Sequence, residues 1–158
     1  MPRQDLTENQ LRDFAAEHLT YEANMLSATA QLLATGGQNH AIKNALLESF
    51  TIHLRALIDF LWEPDKPRPD DAVASDYFAS IEDWKDVQPA FPPTLDPARK
   101  RTGKEIAHLT YSRLSVTTEQ KQWKVLDMAN AVLSALVVFK ANALSSRVGD
   151  ALADLFDE

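Results

Sequence analysis

The sequence predicts an all-α protein, an antiparallel four-helix bundle with a proline-rich insertion of short helices between helices two and three. Four long segments repeat apolar residues at the three- and four-residue spacing of an amphipathic helix. Only 4 of the 158 residues are glycine, whereas alanine and leucine, which favour helix, are abundant. No segment shows the strict alternation of a β-strand. Short connections between consecutive helices favour antiparallel neighbours.

Helix one is predicted from Glu8 to about Ala34. Thr7 precedes it as an N-cap, and Gln10 stands three residues later, at the spacing of a capping box. The pair Gly36-Gly37 is a typical helix end. Its apolar stripe is predicted to contain Leu11, Phe14, His18, Leu19, Met25, Leu26, Leu32 and Leu33.

Helix two is predicted from His40 to Trp62, before Pro64. Arg55 and Asp59 stand four residues apart on its polar side, so we expect them to form an ion pair. The apolar stripe is predicted to contain Ile42, Leu46, Phe50, Leu54, Leu57, Ile58 and Leu61.

The insertion covers residues 64–96, and seven of the 8 prolines lie between Pro64 and Pro97. We expect two short helices in it, at residues 71–78 and 80–87. Its aromatic residues indicate packing on the bundle rather than a disordered linker, so we expect one domain over residues 1–158. These aromatic residues are Tyr77, Phe78, Trp84 and Phe91.

Helix three is predicted to begin at Pro97 with Asp96 as its cap and to reach about Tyr111. Helix four is predicted from Thr118 to Ala143, with Thr117 and Gln120 at capping-box spacing. Its apolar residues form more than one stripe, which indicates a central helix or one shared with a second subunit. An acidic tail follows over residues 144–158, in which Leu152, Leu155 and Phe156 share one side.

The composition limits which cellular compartment and which binding partners are expected for this protein. The chain has no cysteine, which excludes disulfides and thiolate metal sites. No signal peptide is evident, and the longest apolar run, residues 131–139, is too short to span a bilayer. We therefore expect a cytoplasmic protein without a membrane partner. The net charge of -7 opposes broad, non-specific binding of nucleic acid.

The charge is unevenly distributed, and the start of helix three is basic. Between residues 96 and 113, five basic residues stand against Asp96 and Glu105, which gives a local net charge of +3. A local basic site on an acidic protein can still hold one phosphate-bearing ligand. The basic residues are Arg99, Lys100, Arg101, Lys104 and Arg113.

Arg101 and His108 are the residues of this basic segment best suited to chemistry. On a continuous helix, seven residues make about two turns, so both side chains would lie on one face. A fixed guanidinium binds phosphate, and an imidazole with a pKa of about 6.5 transfers protons near neutral pH. Lys104 and Tyr111 extend the same face and Arg113 lies just beyond, so we expect these three to bind substrate.

An arginine followed at this distance by a histidine, in an all-helical domain of this size, resembles the HEPN family (higher eukaryote and prokaryote nucleotide-binding). Six residues intervene here, the upper limit of the family's pattern, and Thr102 stands where many members carry asparagine or aspartate. The resemblance implies a homodimer that binds RNA or a nucleotide and uses neither cofactor nor metal. It further implies that His108 acts as general base or acid and that Arg101 holds the scissile phosphate.

Two alternatives remain from the residues themselves. The first is a non-catalytic helical interaction or dimerisation module, in which the apolar surface of helix four and the aromatic insertion contact a partner. The second is a mononuclear metal site, since Glu105 and His108 follow the Glu-x-x-His spacing. Other candidate ligands are His18 and Glu22 on helix one and Glu48 and His53 on helix two.

Glu22 interrupts the apolar stripe of helix one, so a buried carboxylate there would need a partner. His53 and Arg55 on helix two are the candidates. We expect an ion pair that stabilises the fold. We also expect Glu22 and Arg55 to help orient Arg101 or His108 without reacting themselves.

Overall fold

The computed structural model describes residues 5–64, 66–101, 111, 114, 117 and 122–153. Within these ranges the protein consists of helices, turns and loops and contains no strand, which confirms the all-α class. In chain order the elements are α1 (Glu8–Phe14), a π-helical turn (Ala15–Leu19), α2 (Thr20–Thr35), α3 (His40–Leu61), a 3₁₀ turn (Ala74–Tyr77), α4 (Ile81–Val87), a second 3₁₀ turn (Pro93–Leu95), α5 (Asp96–Arg101), α6 (Val125–Asn142) and α7 (Ser145–Val148).

The predicted first helix forms, and its N-terminal cap is confirmed. The hydroxyl of Thr7 accepts a hydrogen bond from the Gln10 backbone N–H, and the Gln10 side chain accepts one from the Thr7 N–H. Both ends of the capping box thus satisfy backbone donors that the helix leaves open. Helix α2 ends at Thr35, and Gly36 follows it with a φ of 69°, as the two glycines predicted.

The π-helical turn between α1 and α2 was not predicted. Buried residues in this part of the chain recur every four positions, a spacing that drifts around a helix of 3.6 residues per turn. The i→i+5 hydrogen bonds of a π turn hold more residues per turn and keep such positions on one face. His18 and Leu32 are exposed, so the predicted stripe was wrong at these two positions, and Phe14, Met25 and Leu33 are half-buried. The buried row is Leu11, Ala15, Leu19 and Ala23.

Helices α2 and α3 form an antiparallel hairpin. Four residues, 36–39, connect them, and Asn39 caps α3 by accepting a hydrogen bond from the Ile42 N–H. Glu22 and His53 lie at similar distances from this connection and are in contact, as antiparallel packing requires. The core side of α3 is close to the predicted stripe, except that Ile42 is 50% exposed.

The insertion packs into the core, as its aromatic residues predicted. Tyr77, Phe78 and Trp84 are buried, and Phe91 lies against the cluster. The predicted helix at 80–87 is present as α4, with Ser80 as its cap. The predicted helix at 71–78 is wrong, because only the 3₁₀ turn forms there.

The start of the predicted fourth helix was also wrong. Helix α6 begins at Val125, and the three residues before it are not helical. Lys124 has a ψ of 66°, outside the helical region, and Trp123 turns toward the core and α5. The predicted cap residue Thr117 is exposed, and Gln120 lies outside the described residues.

Helix α6 packs against α2 and α3. Among the described helices it is the one long and apolar enough to cross a membrane by length and composition, with a mean hydropathy of 1.4 over 18 residues. A third of this segment is buried inside the protein. Its buried residues include Met128, Val132, Leu136 and Phe139, so α6 also has the pattern of a core helix.

The C-terminal segment fastens the insertion to the first helix. Arg147 on α7 donates hydrogen bonds to the carbonyls of Asp76 and Phe78, and its Nε lies 3.5 Å from a carboxylate oxygen of Glu8. Gly149 follows with a φ of 53° and passes so close to Arg12 that a Cβ would lie 2.9 Å from its side chain. Glycine is suited to this turn on both counts. Leu152 of the predicted tail is buried, whereas Leu155 and Phe156 lie outside the described residues.

Candidate functional site

Arg101 lies at the last described position of α5, and its guanidinium is held from one side. The guanidinium carbon lies 4.3 Å from the centre of the Trp123 ring, a cation–π contact. One of its terminal nitrogens also donates a 3.4 Å hydrogen bond to the carbonyl of Gln122. The side chain remains partly exposed, and it takes part in further interactions. The cation is therefore oriented by an aromatic face while part of its surface stays accessible to solvent.

The other residues of the predicted active face are mostly outside the described part of the chain. His108, Lys104 and Arg113 fall there, so their predicted roles stay predictions. Tyr111 is described and is 93% exposed. A tyrosine in that position presents its ring and its hydroxyl to solvent, which suits stacking on a base.

Arg55 lies on α3 and forms the predicted ion pair. Its Nε lies 3.3 Å from Oδ2 of Asp59, with both side chains about half exposed. An exposed pair of this kind stabilises a helix by about 0.3–0.5 kcal/mol. Arg55 and Asp96, the first residue of α5, line the same open groove, so Arg55 lies near the start of the helix that carries Arg101.

This groove has a volume of about 1080 Å³. Its cations are Arg55, Lys66 and Arg68. Three of its four carboxylates already accept internal hydrogen bonds or ion pairs. Asp59 pairs with Arg55, Glu63 accepts from the Ser75 N–H at 3.0 Å, and Asp71 accepts from the Arg68 N–H at 2.7 Å; Asp96 is the fourth.

Those internal bonds hold the loop that follows α3 in place. They also direct carboxylate oxygens toward the protein, whereas Lys66 and Arg68 are exposed. The groove as a whole carries mixed charge rather than a positive field. It is better suited to one small polar ligand than to a long polyanion.

Glu22 finds the partner that its position in the sequence required. Oε2 of Glu22 lies 2.7 Å from Nδ1 of His53, across the α2–α3 interface. The Tyr21 ring meets the imidazole edge-on, with 5.6 Å between ring centres. His53 is buried and Glu22 is half-buried, so the pair satisfies both polar groups in a largely apolar interface. Arg55, the other candidate partner of Glu22, pairs with Asp59.

The described residues offer no set of ligands for the mononuclear metal site that was considered as an alternative. No group of three or more histidine, aspartate or glutamate residues suited to hold an ion occurs in them. His18 was expected on the inner side of helix one but is exposed, where its ring packs on Phe14. Glu48 is also exposed. Glu22 and His53 do lie together, whereas Glu105 and His108 fall outside the described residues.

Trp123 is the site residue that the sequence did not reveal. It lies within the predicted fourth helix, and it is half-buried against the core. Its contact with Arg101 joins positions 22 residues apart on different elements. No periodic pattern links two such positions, so the sequence carried no signal for this contact.

Comparison of the chain with protein-family models, with curated proteins and with solved structures finds no match.

The side chain of Arg101 is suited to binding an anion. A guanidinium offers several N–H donors in a plane and keeps its charge at all relevant pH values. A guanidinium packed on an aromatic ring can bind the oxygens of a phosphate in its own plane. Ten residues later in the sequence, Tyr111 has an exposed aromatic ring.

Proposed function

We propose that this chain is a HEPN-like, metal-independent RNA-cleaving or RNA-binding protein whose site is centred on Arg101 and His108. The observation that carries the proposal is the oriented, partly exposed guanidinium of Arg101 over Trp123. An anchored cation loses less side-chain entropy on binding phosphate than a freely rotating one.

The proposal includes the architecture of the active protein. The fold is taken as an antiparallel four-helix bundle in which residues 8–35, α3, a helix that begins with α5, and α6 are the four members. On a helix that continues past Arg101, His108 lies on the same face two turns later. The active form is a cytoplasmic homodimer, because two copies would bring two such motifs into one cleft.

The proposed reaction needs no cofactor. His108 removes the proton from a ribose 2′-hydroxyl, whose oxygen attacks the adjacent phosphorus. Arg101 stabilises the negative charge that builds up on the phosphate oxygens. The bond from phosphorus to the 5′-oxygen breaks, and a protonated histidine donates the proton to this leaving oxygen. Lys104, Tyr111 and Arg113 hold the neighbouring phosphates and bases.

The test is RNA cleavage in the presence of EDTA, with variants of both central residues. We expect His108→Ala and Arg101→Ala each to reduce cleavage by at least about 100-fold, the usual range for loss of a general base or an oxyanion donor. His40→Ala and Arg68→Ala are matched controls, since both residues are exposed and lie outside the proposed site. Equal loss in the controls, or cleavage that EDTA abolishes, contradicts the proposal.

A non-catalytic interaction module is the second candidate, and the exposed apolar residues of α2, α3 and α6 favour it. These include Tyr21, Leu32, Ile42, Ile52, Leu126 and Val137. This function predicts that the purified protein does not cleave or bind RNA yet still self-associates. Size measurement and the cleavage assay on one preparation distinguish the two functions.

A further inference from the structure

Helix α2 presents an apolar row to solvent. Tyr21 is 53% exposed and Leu32 is 48% exposed, with Met25 and Ala28 between them at helical spacing. Glu22 is the one charged residue among the 16 of α2, and it is bound to His53. Outward-facing helices usually carry charged residues on their solvent side. This row therefore has no charged side chain that would favour its exposure to solvent.

Helix α3 presents a second row of the same kind. Ala45, Ile52 and Ala56 are exposed, and Ser49 is half-buried, at alternating spacings of four, three and four residues. Such spacing places them on one face. Ile52 is 59% exposed, the highest value among the large hydrophobic residues of the helices.

The antiparallel hairpin brings the two rows together. Since Glu22 contacts His53, Tyr21 lies beside the Ile52 end of α3 and Leu32 lies toward the Ile42 end. We define the hairpin face as these two adjacent rows, which extend for roughly 20 Å along each helix. The hairpin face comprises Tyr21, Met25, Ala28 and Leu32 on α2 and Ile42, Ala45, Ser49, Ile52 and Ala56 on α3.

The charges at the outer edge of the hairpin face identify its occupant. Glu48 and Arg55 are seven residues apart, about two turns, so they lie on the same edge of α3. A twofold axis across α3 near residues 50–52 reverses the second helix but keeps this edge on the same side. With the axis between residues 50 and 51, Glu48 of each copy lies about two residues, roughly 3 Å along the helix, from the level of Arg55 of the other, which is within reach of two symmetric ion pairs.

The same axis matches the shapes of the two rows. It places Ile52 of one copy opposite Ser49 of the second copy, and Ala45 opposite Ala56. A large side chain thus meets a small one near the axis, and two small side chains meet farther along, which lets the two helices approach closely. The interface has an uncharged centre and charges at its rim, the usual anatomy of a protein–protein contact.

We propose that the hairpin face is a self-association surface and that its occupant is a second copy of this chain, with α3 packed antiparallel on α3. The proposal goes beyond the proposed function, because the hairpin face contains neither Arg101 nor His108, and it does not depend on any reaction with RNA. Cleavage assays therefore test the nuclease separately.

The experiment is sedimentation equilibrium of the full chain at about 1–100 µM, a range that brackets micromolar dimers. We expect the parent protein to dimerise and Ile52→Glu to be monomeric, because a charge is placed at the centre of the face. Val137→Glu is the matched control, since Val137 is an exposed apolar residue of α6, outside the hairpin face. We expect this control to dimerise like the parent, and far-UV circular dichroism checks that both variants fold.

A charge swap tests the antiparallel register. Glu48→Arg places like charges beside Arg55 of the second copy, and we expect it to raise the dimer Kd by about tenfold or more. Adding Arg55→Glu to the same chain restores opposite charges, and we expect the Kd to return to within about threefold of the parent value. A monomeric parent, an Ile52→Glu dimer of parental strength, or a double variant no tighter than the single one would each overturn the proposal.

Discussion

Tyr77 shows how one buried side chain couples the insertion to the first helix. Its ring is fully buried, and its hydroxyl donates a 3.1 Å hydrogen bond to the carbonyl of Leu11. Burial, with a smaller contribution from the neighbouring Asp76 carboxylate, raises the pKa of the Tyr77 phenol well above its usual value. The folded protein therefore keeps this phenol neutral under strongly alkaline conditions.

This raised pKa predicts a specific alkaline instability. The unfolded chain releases the Tyr77 proton near pH 10, whereas the folded chain retains it. The stability contributed by the buried, neutral Tyr77 phenol is therefore fully present below about pH 10. Above that pH the free energy of unfolding falls as the pH rises, because the unfolded state is favoured increasingly. We expect Tyr77→Phe to lower the free energy of unfolding by about 0.5–1.5 kcal/mol at pH 7, through loss of the hydrogen bond, but to decline less steeply above pH 10.

Urea unfolding of parent and variant between pH 7 and pH 11 measures this difference. Tyr111→Phe is the control, because that side chain is 93% exposed rather than buried. Parallel pH profiles for the parent and Tyr77→Phe would contradict the prediction.

At the scale of elements, the π-helical turn is the point where the first helix meets the C-terminal segment. The Thr20 hydroxyl donates to the carbonyl of Ala15 at 3.1 Å and accepts from the Leu152 N–H at 3.1 Å. Leu152 has a φ of 66°, which is unusual for a residue with a side chain. Its buried side chain and this hydrogen bond together hold the strained backbone in place.

We therefore expect Thr20→Val to lower the free energy of unfolding by about 1–3 kcal/mol, because the Leu152 N–H loses its acceptor while the side-chain volume is kept. Thr20→Ser retains the hydroxyl and should cost less. Urea denaturation gives the two values, and hydrogen exchange at the Leu152 amide locates the effect. Unchanged protection of that amide in Thr20→Val would argue against the role given to the hydroxyl.

For the whole molecule, Phe139 is the residue at which separate parts of the chain meet. Its ring lies 5.2–6.1 Å, between centres, from four other aromatic rings. One of these belongs to α3 and three to the insertion, while Phe139 itself lies on α6. The four rings are those of Phe60, Tyr77, Phe78 and Trp84. Such packing predicts that the insertion and the helices unfold together.

The change Phe139→Ala tests this cooperativity. We expect it to lower the free energy of unfolding by about 3–5 kcal/mol, the usual cost of removing a buried phenylalanine. Near-UV circular dichroism follows the aromatic cluster and far-UV circular dichroism follows the helices. Coincident transitions in the parent protein support one cooperative unit, whereas an earlier loss of the aromatic signal would indicate that the insertion unfolds by itself.

The features predicted correctly from the sequence are those with a local cause. The capping box at Thr7, the glycine end near Gly36 and the start of α3 each depend on residues a few positions apart. The Arg55–Asp59 pair is local in the same way. The partner of Glu22 could be narrowed to two residues because a half-buried carboxylate has few options.

The features that were missed depend on distant contacts. The late start of α6 follows from the packing of Trp123 on Arg101 and on the core, and neither contact leaves a mark on the local sequence. The π turn depends on which positions the rest of the fold buries. In the candidate site, the sequence identified Arg101 but not the ring that orients it, because the two belong to different elements.

The π-helical turn at Ala15–Leu19 also determines where this chain tolerates a change of length. A wide turn contains one residue more than the ordinary turn it replaces. Loss of one residue elsewhere in 8–35 would rotate one end of this helical segment by about 100° relative to the other, so that buried positions would move away from the core. Loss of one residue from the wide turn would convert it to an ordinary α-helical turn. We therefore expect shorter variants of this protein to lack a residue at this turn.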